Sequence, residues 1–341
     1  MLHDMRHTIY LCLLALTVLL CPACTDTLPA PVGPNDRQTT TVCLHIPQLE
    51  AATRAAGTNW ENAIYTLRVV ILSTGAQSIN RCFTSDELKN TSTLSIDNVP
   101  VGLVQIYVIA NEKSIGRDYT DLSALQADVE QTTEKLLITD PDRTCFPKRG
   151  SVFEKETLGL PMGWMNKSLV INEGSNTIQV KLERQVAKLN IEMTNALSVP
   201  ITVTSISFGA FHSDRFYFFR ETDLDVPQDA VYAERVFHEV GSDDTGITIA
   251  GGGKETMVCY VYPSFAWKSA TEVSPYTIGF TTEKAAYTPQ NFMDVGYEAL
   301  NSITRNAQVN IAATLSHAPN LILNFSVEPW TEYESDVPSF D

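Results

Sequence analysis

Four apolar side chains recur at every second position in one late stretch of the 341-residue sequence: Leu321, Leu323, Phe325 and Val327. A period of two puts all four on one face of an extended segment, and no helix accommodates it. The same alternation returns in Val309, Ile311, Ala313 and Leu315, in Ala187, Leu189, Ile191 and Met193, and in Ile178, Val180 and Leu182. Pro329 bars the closing run from going on as a central strand, because proline has no N–H to give a ladder. A single helical period stands against these strands. Leu122, Leu125, Val129 and Leu136 share one helix face, and Asp121 is placed to cap it.

Further strands are predicted at 67–72, 94–96, 103–110, 169–171, 201–208, 216–219, 257–262 and 276–281. The run 103–110 is apolar on both faces and reads as a central strand. Residues 140–160 read as a long loop. Short strands divided by turns predict an all-β fold of two β-sandwich domains in series, with one short helix in the first. The boundary falls after Arg184, giving 55–184 and 185–341. A chain that is 44% hydrophobic has enough apolar residues for both cores.

Residues 1–23 read as an export signal. Arg6 and His7 precede an uncharged run from Ile9 to Leu20, which is too short to span a bilayer. It ends in Leu19-Leu20-Cys21-Pro22-Ala23-Cys24, which resembles a bacterial lipobox with Cys24 as the acylated residue. Cys21 stands where that motif usually has an aliphatic side chain. Of seven cysteines, this leaves Cys43, Cys82, Cys145 and Cys259, widely spaced and without a metal-ligand pattern. The sequence does not choose a disulfide among them.

Residues 24–54 then read as a lipidated tether and a leading strand over 40–49, where Val42, Leu44 and Ile46 alternate with Cys43 and His45. The segment Ala51-Ala52-Thr53-Arg54-Ala55-Ala56-Gly57 has no packing groups and one basic residue. It reads as a loop open to proteolysis after Arg54. Arg68 and Arg184 fall in strands, where a protease cannot thread the backbone.

A net charge of −16 argues against nucleic acid, whose phosphates call for Lys and Arg. Gly251-Gly252-Gly253-Lys254-Glu255-Thr256 fails as a phosphate loop, since Thr248 stands at the first glycine position and Glu255 where Ser or Thr would hold magnesium. It reads as a hairpin turn. Asp223 and Asp225, or Asp243 and Asp244, follow no calcium-loop spacing. His45, His212, His238 and His317 lie far apart, and no Gly-x-Ser-x-Gly motif occurs. Phe208, Phe211, Phe216, Tyr217, Phe218 and Phe219 read as core with one sheet face, against a carbohydrate platform as the other reading. No catalytic constellation, metal site or cofactor site is found.

Taken together, these features resemble the Bacteroidales fimbrillins, the major and minor fimbrial subunits called type V pilins. The resemblance rests on the lipobox at Cys24 and on Ala52-Thr53-Arg54-Ala55 followed by Tyr65-Thr66-Leu67-Arg68-Val69-Val70-Ile71. It continues through Gln105-Ile106-Tyr107-Val108-Ile109-Ala110-Asn111, Leu160-Pro161-Met162, Leu182-Glu183-Arg184-Gln185-Val186-Ala187-Lys188-Leu189 and Val327-Glu328-Pro329-Trp330. It implies transthyretin-like sandwiches, export as an outer-membrane lipoprotein and a cut between Arg54 and Ala55 by an Arg-specific surface protease. The cut would remove the leading strand and open a groove for a donor strand from another fimbrial subunit. Two other readings stand beside a stalk or tip subunit: an anchor that keeps its lipid and leading strand, and a surface glycan-binding lipoprotein. The run 321–327 is expected to complete the second sandwich. The tail 330–341, with Trp330, Tyr333 and Val337, is the candidate donor strand.

Overall fold

The computed structural model describes residues 38–49, 60–130, 158–219, 227, 229–238, 246–267, 272–293, 298–317 and 321–329. Cys24, Arg54, Ala55, Cys145, Asp223, Asp225, Asp243, Asp244, Trp330, Tyr333 and Val337 lie outside those residues, as does Leu136 of the expected helix face.

The described strands form four sheets, two from each half of the chain. In the first half, β1 (Thr39–His45) lies between β4 (Thr93–Pro100) and β7 (Asn176–Gln179), antiparallel to β4 and parallel to β7. Opposite them run β3 (Ile79–Thr84), β2 (Thr66–Ser73), β5 (Gly102–Ala110), β6 (Met162–Ile171) and β8 (Glu183–Arg184), in that order across an antiparallel sheet. As its two-sided apolar sequence predicts, β5 is central. Val104, Ile106 and Val108 are buried on one parity, Tyr107 and Ile109 on the other.

In the second half, β13 (Lys254–Val261), β9 (Ala187–Asn195), β16 (Ala307–Leu315) and β17 (Leu321–Pro329) make a four-stranded sheet. β9 and β16 are parallel, and the other two pairs are antiparallel. The facing sheet runs β11 (Tyr232–His238), β10 (Ile201–Ser213), β14 (Thr277–Thr282) and β15 (Gln290–Asn291), with β12 (Ile247–Ile249) also paired to β10. In β9 and β16 every second residue is buried, so the alternation in the sequence is the alternation in the fold.

Several expectations need correction. The helix after Asp121 is present as Leu122–Glu130 (α2), and Asp121 Oδ1 accepts a hydrogen bond from the Ser123 N–H at 2.9 Å. It is not alone, because Ser85–Leu88 (α1) forms a turn of helix under a Thr84–Glu87 capping box and 47–49 turn helically after β1. Gly251-Gly252-Gly253 do make a turn, but not a hairpin. β12 belongs to one sheet and β13 to the other, so the glycines carry the chain between sheets. There Gly252 takes φ +69°, and a Cβ on Gly251 would lie 2.4 Å from the Ser198 carbonyl oxygen.

Residues 216–219 are not a strand. Phe216, Phe218 and Phe219 are buried, yet they belong to the first half's core, with Tyr260 and Tyr262 of the second half beside them. Arg305 fixes that loop by donating to the Phe218 carbonyl (3.0 Å), the Tyr217 carbonyl (2.6 Å) and the Gln185 side chain. Phe208 and Phe211 stay in the second core. Five of these six rings are buried, so these six do not themselves form an exposed aromatic platform.

Candidate functional site

The feature that sets this sandwich apart is the position of β1. A strand contributed from the start of the described chain occupies the middle of its sheet, and the two strands beside it are hydrogen-bonded to it and not to each other. Val42, Leu44 and Ile46 are each 0% exposed, packed in the first core. Burying each such side chain is worth about 1.5–3 kcal/mol, so the three together contribute about 5–9 kcal/mol. That is comparable with the whole stability of a domain, roughly 5–15 kcal/mol. Withdrawing β1 without a replacement would open the core.

The backbone is tied as firmly as the side chains. Beyond the ladders, Ile46 N–H donates to Ser92 O (2.7 Å), Val180 N–H to His45 O (2.9 Å) and Val101 N–H to Gln38 O (2.9 Å). The outward side chains are also partnered. Thr41 Oγ1 donates to Asp97 Oδ1 at 2.8 Å, and His45 Nδ1 lies 3.4 Å from Thr93 Oγ1. Opposite Thr41 the β4 strand has one residue too many. Thr40 pairs with Val99 and Val42 with Ile96, so Asp97 and Asn98 share the space across from one residue. Asn98 takes φ +61°, a left-handed conformation that asparagine tolerates better than most residues. This bulge was missed from sequence, though it leaves a trace there. The apolar parity of Leu94 and Ile96 slips by one before Val99.

After residue 49 the described chain resumes at Trp60, and the residues there are pinned. Glu61 is buried, accepts from the Tyr260 hydroxyl and pairs with Lys188 Nζ at 2.8 Å. Arg184 Nε donates to the Glu61 carbonyl (3.2 Å), and its other nitrogens donate to Asn62 and Asn306. Arg184 thus lies in β8, buried, as expected of a residue closed to proteolysis. Arg68 lies in β2, equally buried. Its guanidinium grips Glu112 through two hydrogen bonds of 2.7 and 2.6 Å, which raise its pKa above the ordinary arginine value.

At the other end, β17 pairs with β16 over its whole length, from Leu321 opposite Leu315 to Pro329 opposite Ala307. It is an edge strand, where proline is tolerated. Leu323, Phe325 and Val327 are half-buried against the second core, so this run completes the chain's own sheet.

The apolar run ending in Asn111 also acquires a reason. Asn111 is left-handed (φ +58°), and its amide donates to the carbonyls of Ala63 and Leu160, both at 2.8 Å, while accepting from Tyr65 N–H at 2.9 Å. One side chain therefore joins three distant segments around β2, β5 and β6. Gly159 completes the junction, since a Cβ there would sit 2.3 Å from Asn111 Nδ2.

Residues 77–336 match the family described as Fimbrillin-A associated anchor proteins Mfa1 and Mfa2. The chain belongs to this fimbrillin family. Among solved structures it is similar to the tip fimbrial protein Mfa3 from Porphyromonas gingivalis, determined with a C-terminal truncation. The two are 13% identical with a TM-score of 0.52, covering 86% of this chain and 100% of that one. It is also similar to a fimbrilin, FimA, from Porphyromonas gingivalis W83, at 15% identity and a TM-score of 0.51, covering 86% of this chain and 98% of that one. At these identities the likeness concerns the fold. No curated protein matches the sequence.

One buried group gives this fimbrillin a pH dependence. His212 stacks on Phe211 with ring centroids 4.4 Å apart, and burial, helped by the nearby Arg235 charge, pushes its pKa down to about 3 from 6.5. The unfolded chain therefore binds the proton first. Stability is complete above pH 6.5 and falls as the pH drops towards 3, by about 1.4 kcal/mol per unit. Between pH 7 and pH 5 this residue is expected to cost about 2 kcal/mol. Urea midpoints measured at both pH values should converge in His212→Phe, and an unchanged gap would refute the assignment.

Proposed function

We propose that this chain is a structural subunit, stalk or tip, of a cell-surface fimbria that serves adhesion. It is exported as a lipoprotein acylated on Cys24 and held in the outer membrane by that lipid. An Arg-specific surface protease cuts between Arg54 and Ala55, and the chain then joins other fimbrial subunits by donor-strand exchange. Its own tail, with Trp330, Tyr333 and Val337, is the donor. The observation that carries this reading is the central β1, which with Ile46 just after it contributes three fully buried side chains that leave an apolar slot once the strand departs. Membership of the fimbrillin family supports it, as does burial of Arg68 and Arg184, which leaves those bonds closed to a protease.

A second reading is favoured by the family's description as anchor proteins. An anchor would keep β1 and its lipid, and its first sheet would stay closed. Sequencing the N-terminus of protein recovered from cell surfaces separates the two. Ala55 is expected for a subunit, and lipidated Cys24 would identify an anchor. Truncation after Pro329 should leave a folded, cleavable monomer, because β17 remains in place, and that monomer should form no fibres with the other subunits. Fibres from that truncated chain would remove the tail from its donor role.

A further inference from the structure

The slot holds β1 through inward and outward contacts, and the outward ones discriminate between apolar strands. Inward, Val42, Leu44 and Ile46 mark three seats at alternate positions. Outward, Thr41 meets Asp97 at 2.8 Å, Cys43 Sγ lies 3.9 Å from Ser95 Oγ, and His45 meets Thr93 at 3.4 Å. The hydroxyls of Ser95 and Thr93 both donate and accept, so they tolerate either sign of charge. An ionised carboxylate only accepts. Asp97 also sits in the bulge opposite Thr41, and bulges are rare outside antiparallel pairs. A strand replacing β1 therefore runs in β1's direction, and its residue just before the first inward seat meets Asp97.

The sequence after Pro329 fits that frame poorly. Within 330–341 the best apolar match seats Tyr333 and Val337, four apart like Val42 and Ile46, with Ser335 between them. That register lays Glu332 against Asp97. A slip of one residue turns Glu332, Glu334 or Asp336 into the core, where an unpaired charge is far costlier. A slip of two leaves a single bulky side chain for three seats. Trp330 has the opposite parity to Tyr333 and Val337 and cannot help them.

We propose that the slot is built for a strand from a different chain, and that Asp97 is the specificity residue that turns away this chain's own tail. The fitting partner has apolar side chains at three alternate positions and a hydroxyl, amide or cationic donor directly before the first. This rests on the strand-replacement reading of the preceding section.

The test uses the full chain cut after Arg54, offered labelled peptides of residues 38–49 and 330–341. The first should be retained at least about 10-fold more tightly than the second. A Glu332→Thr tail peptide should regain about 5-fold, the scale of one like-charge pair across a sheet, and Asp97→Asn in the chain should erase that gain. Equal retention of the two native peptides, or a Glu332→Thr gain that persists with Asp97→Asn, would overturn the proposal. Failure to retain even the 38–49 peptide would instead sink strand replacement itself, and this proposal with it. The intact precursor gives an independent measure. Thr41→Glu should lower its Tm and Asp97→Asn should restore it, whereas a Thr41→Glu chain that melts like the parent refutes the role of Asp97.

Discussion

Replacing Leu44 by aspartate is expected to prevent the uncut chain from accumulating as a folded monomer. Leu44 is 0% exposed in β1 and belongs to the hydrophobic core of the first half. The substitution forfeits about 1.5–3 kcal/mol of burial. It also puts a carboxylate in a place without a partner, which adds several kcal/mol more even after the group takes up a proton. A total loss of at least about 5 kcal/mol approaches the stability of a whole domain. Thr39→Asp, on the exposed start of the same strand, should change stability by less than about 0.5 kcal/mol. Urea denaturation and limited proteolysis of both variants check the contrast. A Leu44→Asp protein with the parent's midpoint would show that β1 is not part of the core, and the proposed slot would lose its basis.

Glu112→Ala should be nearly as damaging, for the opposite reason. Here the missing group is a charge, and what remains is the charge it balanced. Arg68 and Glu112 have side chains only 7% and 5% exposed, and Glu112 takes two of the guanidinium's hydrogen bonds. Asn80 and Thr120 still contact Arg68, but neither carries a charge, and Asp118 is exposed at 3.3 Å. Breaking a buried pair from one side typically costs about 3–5 kcal/mol, whereas replacing both partners by apolar groups is often neutral. The double variant Arg68→Met with Glu112→Leu is therefore expected to recover most of the loss. A double variant as unstable as Glu112→Ala would mean that the pair does more than balance itself.

Legibility from sequence followed burial on one side. β1, β9, β16 and β17 each bury one face, so strict alternation marked them, and the two-sided apolar run of β5 marked a central strand. β3 escaped because it is an edge strand that buries only Phe83, and its remaining residues carry no period. The aromatics at 216–219 misled for a different reason. Consecutive rings read as a strand, core with one sheet face, but they are a loop whose rings enter the other half's core, a destination that local pattern does not encode. The bulge at Asp97 and Asn98 went unread, although the parity slip between Ile96 and Val99 is its trace in the sequence. Glu61 had no sequence signal. A single acid after a tryptophan acquires its meaning only when Lys188 and Tyr260, more than a hundred residues away, close on it.

The rings of Phe216, Phe218 and Phe219 also set a limit on how such a chain can be recombined. A graft that joined the first half to a foreign second half at residue 185 would leave the seats of those rings, and of Tyr260 and Tyr262, without their side chains. It would also separate Arg184 from Asn306 and Glu61 from Lys188 unless both partners were carried over. Under the proposed strand replacement, the leading strand is the part that would exchange without crossing this shared set of rings. The two sandwiches travel together.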